Sequence, residues 1–483
     1  MMELFDSSTV SHVRRGAWYA ALTLALAAPV PALAQPASDG SSEAAAGPAP
    51  DGEATLTDRS GAATFKVENQ LDQIDVDRSA AADKKRDESI ELLKKLIPQA
   101  PEDRKAEMIF RLAELYWEKS RANYRNEMEE YERAYQGWAE SGQTGQPPQR
   151  EAFIRQSELI KQNALKLYER VLAEYPRYER NAEVLFYLGY NEYEAGNKKK
   201  AVDHYLQLIK QFPQSPLVYD AHLQLGEHHF GANQLIKAQR HYAEAVKAVD
   251  VPRIHNYALY KLAWCDYNYQ EYAQGIKKLK SVIDKADTTT DKKSIQLRSE
   301  ALKDLALFFS HVDEVGGAFA YFKAKGGEDI AIRYTESLGN LLGEQGKWTL
   351  QIDAFRLLLD KYPMNTRAPH LQSKIVEAYS QMNEKEKVRQ EVERLVDLYR
   401  PGTPWYRHQE GQGQKGKAAL EYAYDLTETS LRNLVTEYHR DAQKRKDVPT
   451  YQLARDIYAK YLDAFSETQT AYEMRYFYAE VLW

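Results

Sequence analysis

The side chains best suited to bind a metal ion are five histidines between positions 222 and 255: His222, His228, His229, His241 and His255. His222 and His229 lie seven residues apart, so on a helix both imidazoles would share one face. A transition metal could in principle bridge such a pair. Histidines at this spacing also pack at the contact between paired helices. We therefore expect core or rim histidines and no metal site.

A glycine-rich segment at 411–417 matches the first seven positions of a phosphate-binding loop. Such a loop needs a buried strand to position its backbone amides and a Ser or Thr after the lysine to bind the metal. Here Ala418 follows the lysine, and residues 404–409 are not an apolar strand. We expect a flexible loop that binds no nucleotide.

No other group of residues indicates catalysis or a cofactor. Paired carboxylates, Ser-His-Asp sets and Cys-His sets with a distinctive spacing do not stand out, and the single cysteine, Cys265, has no disulfide partner in the chain. The formal net charge is −6, without the large basic block typical of nucleic-acid binding. The sequence predicts a protein that is not an enzyme, holds no cofactor or metal and does not bind nucleic acid.

The elements that position these side chains follow a 37-residue step. Gly189 recurs as Gly226 and Ala263, Ala201 recurs as Ala238 and Gly275, and Tyr205 recurs as Tyr242 and Leu279. Within one unit, Ala201 lies 12 residues after Gly189, Tyr205 lies 16 after it and Pro213 lies 24 after it. Two antiparallel helices would produce this pattern, because small residues let the backbones approach, the aromatic fills the gap, and proline ends the second helix.

This layout resembles the tetratricopeptide repeat (TPR), whose usual period is about 34 residues. The resemblance implies an all-α fold, a TPR-type α-solenoid in which antiparallel helix pairs form a right-handed superhelix. The three extra residues would lie in the turn between repeats. In TPR numbering His222 and His229 occupy positions 4 and 11, which pack the paired helices.

The repeats divide the chain into eight segments. These are a secretory signal peptide (1–34), a flexible low-complexity linker (35–64), an N-terminal helical segment (65–100), repeat 1 with an insertion (101–178), repeats 2–4 (179–286), degenerate repeats 5–7 (287–400), a Pro/Gly-rich loop (401–417) and further helical repeats (418–483). Ala113 and Ala164 are 51 residues apart where 12 are expected, so the insertion has 39 residues. It should extend the first helix through Trp138 and form a loop at 142–148.

Residues 476–483 echo 110–117, so we expect the array to continue past Trp483.

The TPR resemblance also implies a binding surface, because positions 2, 5, 9, 12 and 13 of the first helix line the concave groove. In repeats 1 to 4 we assign to this groove Glu107, Phe110, Glu114, Trp117, Glu118, Glu183, Phe186, Tyr190, Tyr193, Glu194, Asp220, Leu223, Glu227, Phe230, Tyr257, Tyr260, Trp264 and Tyr267. With Gly231 and Asn268 these twenty positions contain ten aromatics, seven carboxylates and no Lys or Arg.

An acidic, aromatic groove suits a partner segment with apolar anchors and basic flanks. We expect Trp264→Ala to weaken partner binding without unfolding the repeats, and added salt to slow association. Two alternatives stay open. The rings could pack against neighbouring helices, or the groove could belong to a glycan- or small-ligand-binding module or an enzyme accessory subunit, because aromatic rings also stack on sugars.

The N-terminus predicts export. Arg14 and Arg15 precede an apolar run at 18–30 and the small-x-small site at 32–34, which indicates cleavage before Gln35. No cysteine lies there, so we expect no lipoprotein and no membrane span of the mature chain. The signal peptide, the 37-residue step and the link at 211–216 are similar to envelope TPR proteins.

Those envelope proteins are the Tol-Pal-associated division coordinator, the outer-membrane assembly lipoprotein and the large TPR proteins of myxobacterial envelope or gliding machineries. The resemblance implies a periplasmic scaffold or adaptor that binds other envelope proteins and is held at the outer membrane, if at all, through them. It leaves the partner, the pathway and the oligomeric state open.

Overall fold

The computed structural model describes residues 80–288 and 292–483, and these residues belong to one unit, Val67–Trp483. The predicted signal peptide, the predicted linker and the first part of the N-terminal helical segment, with Leu71 and Ile74, lie outside the described residues. Across the described ranges the chain forms helices and no strands, as the repeat pattern predicts.

Along the residues that the structure describes, nineteen α-helices follow one another in chain order. Their bounds are α1 Ala80–Leu96, α2 Glu102–Glu140, α3 Arg150–Phe153, α4 Arg155–Glu174, α5 Asn181–Glu194, α6 Lys198–Gln211, α7 Leu217–Gly231, α8 Leu235–Ala245, α9 Pro252–Asn268, α10 Tyr272–Ala286, α11 Lys292–Phe309, α12 Val315–Glu344, α13 Trp348–Lys361, α14 Ala368–Gln381, α15 Lys385–Tyr399, α16 Pro404–Glu410, α17 Gly413–Arg445, α18 Val448–Ala464 and α19 Ala471–Leu482. A short 3₁₀ helix, Ile97–Gln99, follows α1.

The helices pack as consecutive pairs, and each pair packs on the next. The pairs α5–α6, α7–α8 and α9–α10 are repeats 2, 3 and 4, and α2 pairs with α4 in repeat 1. Helix α12 combines the second helix of repeat 5 with the first helix of repeat 6. The chain bends inside α12 at Gly327, whose φ of +71° favours glycine. This arrangement is the predicted all-α TPR solenoid.

Within a pair, a glycine of the first helix faces an aromatic ring of the second, as predicted. A Cβ added at Gly189 would lie 2.7 Å from the ring of Tyr205, and one added at Gly226 would lie 2.5 Å from the ring of Tyr242. Both rings are fully buried. Glycine is therefore required for the close approach of the two helices, and the ring fills the space between them.

Two irregular segments interrupt the repeats. Helix α2 runs on through Trp138 to Glu140, so part of the insertion in repeat 1 continues the first helix. The segment 401–417, predicted to be a loop, instead contains the short helix α16 and the start of α17. Trp405 explains the difference, because its ring is buried against Tyr399 and its Nε1 donates to the carbonyl of Asn365 at 2.9 Å. Tertiary contacts order this stretch despite its Gly and Pro content.

Candidate functional site

One aromatic residue occupies position 12 of the first helix in each of four consecutive repeats: Trp117, Tyr193, Phe230 and Tyr267. We call these four residues the aromatic row. All four side chains are half-buried. Three of them contact the next repeat: Tyr193 packs edge-on against His228, Lys261 lies 4.4 Å from the ring centre of Phe230, and the Tyr267 hydroxyl lies 3.0 Å from His311 Nε2. The row therefore continues from one first helix to the next.

The predicted groove residues at position 5 belong to the core instead. Phe110, Phe186 and Leu223 are completely buried, and Tyr260 is 1% exposed. The rings of Phe110 and Phe186 each pack on a tyrosine of the second helix in their own repeat. These four side chains cannot contact a partner while the repeats stay packed.

Repeat 4 is the most enclosed part of the predicted groove, because Tyr257 and Trp264 are also buried. Trp264 packs edge-on against Phe308, and its Nε1 donates to Asp304 at 3.1 Å. The Tyr260 hydroxyl donates to the same carboxylate at 2.5 Å. The expectation that Trp264 lines an open groove is therefore wrong. The competing hypothesis, that the rings pack on neighbouring helices, holds for this part of the sequence.

Asp304 is a half-buried carboxylate that sequence reasoning missed. Burial raises its pKa to about 6 from an ordinary value of 3.8, and the hydrogen bonds from Tyr260 and Trp264 oppose that shift only in part. Asp304 lies one helical turn before Phe308, and nothing in that spacing predicts that its carboxylate contacts Tyr260 and Trp264. Only the packing of α11 on α9 places it between those two donors.

Asp304 predicts a pH-dependent stability. The folded chain keeps the Asp304 proton between about pH 4 and 6, where the unfolded chain has lost it, so the free energy of unfolding falls as the pH rises through that interval. Asp304→Asn removes this ionisation. Its free energy of unfolding relative to wild type should rise by on the order of 1–3 kcal/mol between pH 4 and pH 7. Denaturant unfolding at both pH values measures the change.

The matched control is Asp353→Asn, which alters an exposed aspartate on α13. Its change in stability between the two pH values is the reference for Asp304→Asn. A change for Asp304→Asn no larger than this reference would show that Asp304 does not titrate in this interval.

The seven carboxylates of the predicted groove are mostly neutralised. A cation lies within 4 Å of six of them: Glu107, Glu114, Glu118, Glu183, Asp220 and Glu227. The seventh, Glu194, is exposed at the end of α5. None of the paired cations lies at one of the twenty groove positions, so the list of groove residues does not include them. The cations are Arg86, Arg180, Arg253 and Lys261. These cations offset most of the negative charge that the sequence predicts for the groove.

Arg180 neutralises three of these carboxylates. Its guanidinium lies 2.7 Å from Glu183, 3.3 Å from Glu114 and 3.6 Å from Glu107. The same group stacks over the buried ring of Phe110 at 3.9 Å. Arg180 therefore links repeat 2 to repeat 1. The sequence contains a signal for it, since Arg180 and Glu183 are spaced i, i+3 at the start of a helix.

The same kind of contact recurs further along. Arg253 at the start of α9 lies 3.3 Å from Asp220 of α7, and burial raises the pKa of Asp220 to about 6 despite that guanidinium. Lys261 is buried and lies 3.2 Å from Glu227, which also accepts from the Tyr242 hydroxyl at 2.5 Å. These ion pairs join consecutive repeats. They leave little net charge around the aromatic row.

Three of the five clustered histidines meet at the contact between α7 and α8, whereas His228 packs against Tyr193 and His255 lies apart. The Nδ1 atoms of His222 and His241 are 3.0 Å apart, and the ring of His229 stacks on His241 with centres 5.4 Å apart. All three are half-buried, as expected for rim histidines between paired helices. The sequence pointed to His222 and His229 as the pair, whereas the structure brings His222 to His241.

Comparison with known proteins supports the repeat assignment. The family model described as a tetratricopeptide repeat matches residues 183–215 and 257–289. These matches start 74 residues apart (257 − 183), which is twice the 37-residue step. These two stretches therefore match the tetratricopeptide repeat, in agreement with the helix pairs of the fold. No curated protein matches the chain.

Several solved structures of TPR proteins resemble the chain at low identity. The C-terminal part of a TPR repeat-containing protein from Cytophaga hutchinsonii is 14% identical, covers 62% of this chain and 95% of its own, and has a TM-score of 0.31. A tetratricopeptide repeat protein from Parabacteroides merdae is 12% identical, covers 65% and 93%, and has a TM-score of 0.28. A signal-transduction ATPase with a TPR sensor from Pyrococcus horikoshii is 12% identical, covers 86% and 56%, and has a TM-score of 0.31.

Two further expectations concern the surroundings of the site. No helix among the described residues is long and apolar enough to cross a membrane. The glycine-rich segment 411–417 starts α17 directly after α16, so the strand that a phosphate-binding loop needs is not there.

Proposed function

We propose that this chain is a non-catalytic scaffold of the bacterial cell envelope that binds a segment of a partner protein along the aromatic row. The main support for this proposal is that a half-buried aromatic recurs at one structural position in four consecutive repeats. Half-exposed rings held by a rigid helix lose little conformational entropy on binding and exclude water from a contact. A repeat array presents such rings at regular intervals, which suits an extended segment with apolar anchors.

The chemistry of the partner follows from the charges around the row. Since Arg180, Arg253 and Lys261 neutralise the neighbouring carboxylates, we propose that apolar anchors matter more than basic flanks. Glu194 and Glu107 remain exposed at the edge and can still attract a basic residue. The salt dependence of association should accordingly be small, in contrast to the expectation from the sequence.

A photo-crosslinking experiment tests the proposal. A benzophenone amino acid is introduced at Tyr193 or at Phe230 in the full chain expressed in its native host, and crosslinked peptides are identified by mass spectrometry. The control site is Ile236, an exposed apolar residue on the second helix of repeat 3. The same partner peptide should crosslink to both row sites and not to Ile236. Equal labelling of all three sites, or no protein adduct at the row sites, would overturn the proposal.

Truncation of a row residue should weaken the complex. Phe230→Ala removes a half-buried ring beside Lys261, and we expect a loss of about 1–3 kcal/mol in affinity for the crosslinked partner peptide. Ile236→Ala should change the affinity little. Isothermal titration at low and high salt measures both effects. An affinity that is unchanged in Phe230→Ala would mean that the row is not the contact.

The proposed compartment rests on the N-terminal sequence. Two arginines, an apolar run and a small-x-small site support cleavage before Gln35 and export to the periplasm, without a lipid anchor. Mass spectrometry of the protein from its native host should find Gln35 at the N-terminus. An intact Met1 would show that the chain is not processed.

A further inference from the structure

We propose that His222 and His241 form a binding site for one divalent transition-metal ion, of the class of Ni²⁺, Cu²⁺ or Zn²⁺. The two rings come from the two helices of repeat 3, α7 and α8, and their Nδ1 atoms face each other. Imidazole nitrogen is the side-chain donor that suits these three metals. The site lies at the contact of the helix pair and is separate from the aromatic row.

The distance between the two nitrogens fits shared coordination. Two nitrogens bound at about 2.05 Å to one metal are about 2.9 Å apart at a right angle and about 3.4 Å apart at the tetrahedral angle. The two Nδ1 atoms are 3.0 Å apart, close to the right-angle value that square-planar Cu²⁺ and Ni²⁺ prefer. The separation of the two nitrogens therefore matches that of two ligands on one ion.

The protons balance without an external base. Each neutral imidazole carries one N–H, and one ring now donates its Nδ1–H to the other ring. When both Nδ1 atoms bind the metal, each ring keeps its proton on Nε2, so the donor ring changes tautomer and no proton is lost. Burial lowers the pKa of both rings, which keeps them in the neutral form that a metal binds.

The residues around His222 and His241 leave the remaining coordination positions of the ion to water. Across the described residues no three His, Cys, Asp or Glu side chains converge on one point, so the protein supplies two ligands here and water supplies the others. Glu244 lies one turn after His241 and pairs with Lys247 at 2.7 Å, and His229 stacks on His241 while its Nδ1 contacts Gln234. The metal would join residues 19 apart in the chain and so brace the two helices of repeat 3.

Metal titration of the full chain tests the site. The protein is made without a polyhistidine tag, stripped with a chelator and titrated separately with NiCl₂, CuCl₂ and ZnCl₂ in a calorimeter. One ion should bind per chain, and the Cu²⁺ complex should show electron-spin-resonance splitting from two imidazole nitrogens. His222→Asn and His241→Asn should each lower the affinity by more than the roughly 10–100-fold that loss of an outer-shell partner costs.

His204→Asn is the matched control, because His204 is a half-buried histidine on α6 outside the cluster. It should bind the metal like wild type. His222→Gln and His241→Gln repeat the test with a longer side chain, and circular dichroism shows that each variant keeps its helices. The same affinity in wild type and in all folded variants, or no binding to wild type at millimolar metal, would overturn the proposal.

Discussion

Trp264→Ala is expected to lower the free energy of unfolding by about 3–5 kcal/mol, the range for truncation of a large buried aromatic. Trp264 is 5% exposed, packs on Phe308 and Tyr267, and donates its Nε1 proton to Asp304. Its removal leaves a cavity between repeats 4 and 5 and takes one of two donors from the half-buried Asp304 carboxylate. Urea unfolding followed by circular dichroism measures the loss.

Trp117→Ala is the matched control, since the same truncation is made at a half-buried tryptophan of the aromatic row. It should cost clearly less stability and should instead weaken partner binding. If Trp264→Ala kept wild-type stability and lost the partner, Trp264 would be part of an open groove after all.

Gly226→Val should destabilise repeat 3 by about 1–3 kcal/mol through overpacking. A Cβ at position 226 would lie 2.5 Å from the ring of Tyr242, which is completely buried and donates its hydroxyl to Glu227. The ring has no space to move, so the two helices of the repeat must separate. The midpoint of thermal unfolding should fall accordingly.

Gly231→Val tests whether the effect comes from contact or from helix propensity. Gly231 ends the same helix α7, and no atom lies within 4 Å of its added Cβ. We expect its stability to stay within about 0.5 kcal/mol of wild type. Equal losses at both glycines would show that the close approach to Tyr242 is not what requires glycine at 226.

The repeat architecture could be predicted because it depends on local spacing. The 12- and 16-residue spacings from Gly189 to Ala201 and Tyr205 are set by the length of two helices and the turn between them. A constant 37-residue step then places consecutive pairs side by side. These spacings can be read from a single sequence, because they depend on no contact between distant residues. The helix pairs and their close-packed glycines therefore agree with the prediction.

The helix at Pro404–Glu410 shows where local spacing stops being informative. Its Pro and Gly content predicts a loop. Trp405 and Gln409 nevertheless donate to carbonyls of the α13–α14 turn, some 40 residues earlier, at 2.9 and 2.7 Å. Contacts at that separation override local propensity and leave no periodic signal.

The binding surface divides in the same way. The sequence by itself determined which residues lie along the first helices, because helical periodicity assigns each residue to a face. Only the tertiary structure decided which rings stay accessible, because helix packing buries position 5 and Trp264 while it leaves the aromatic row half-exposed. It also decided the charge, because Arg180 and Lys261 reach the carboxylates of a neighbouring repeat. Burial and ion pairing depend on how consecutive helix pairs stack on each other. The residue pattern within one repeat does not show which residues of the next repeat come close.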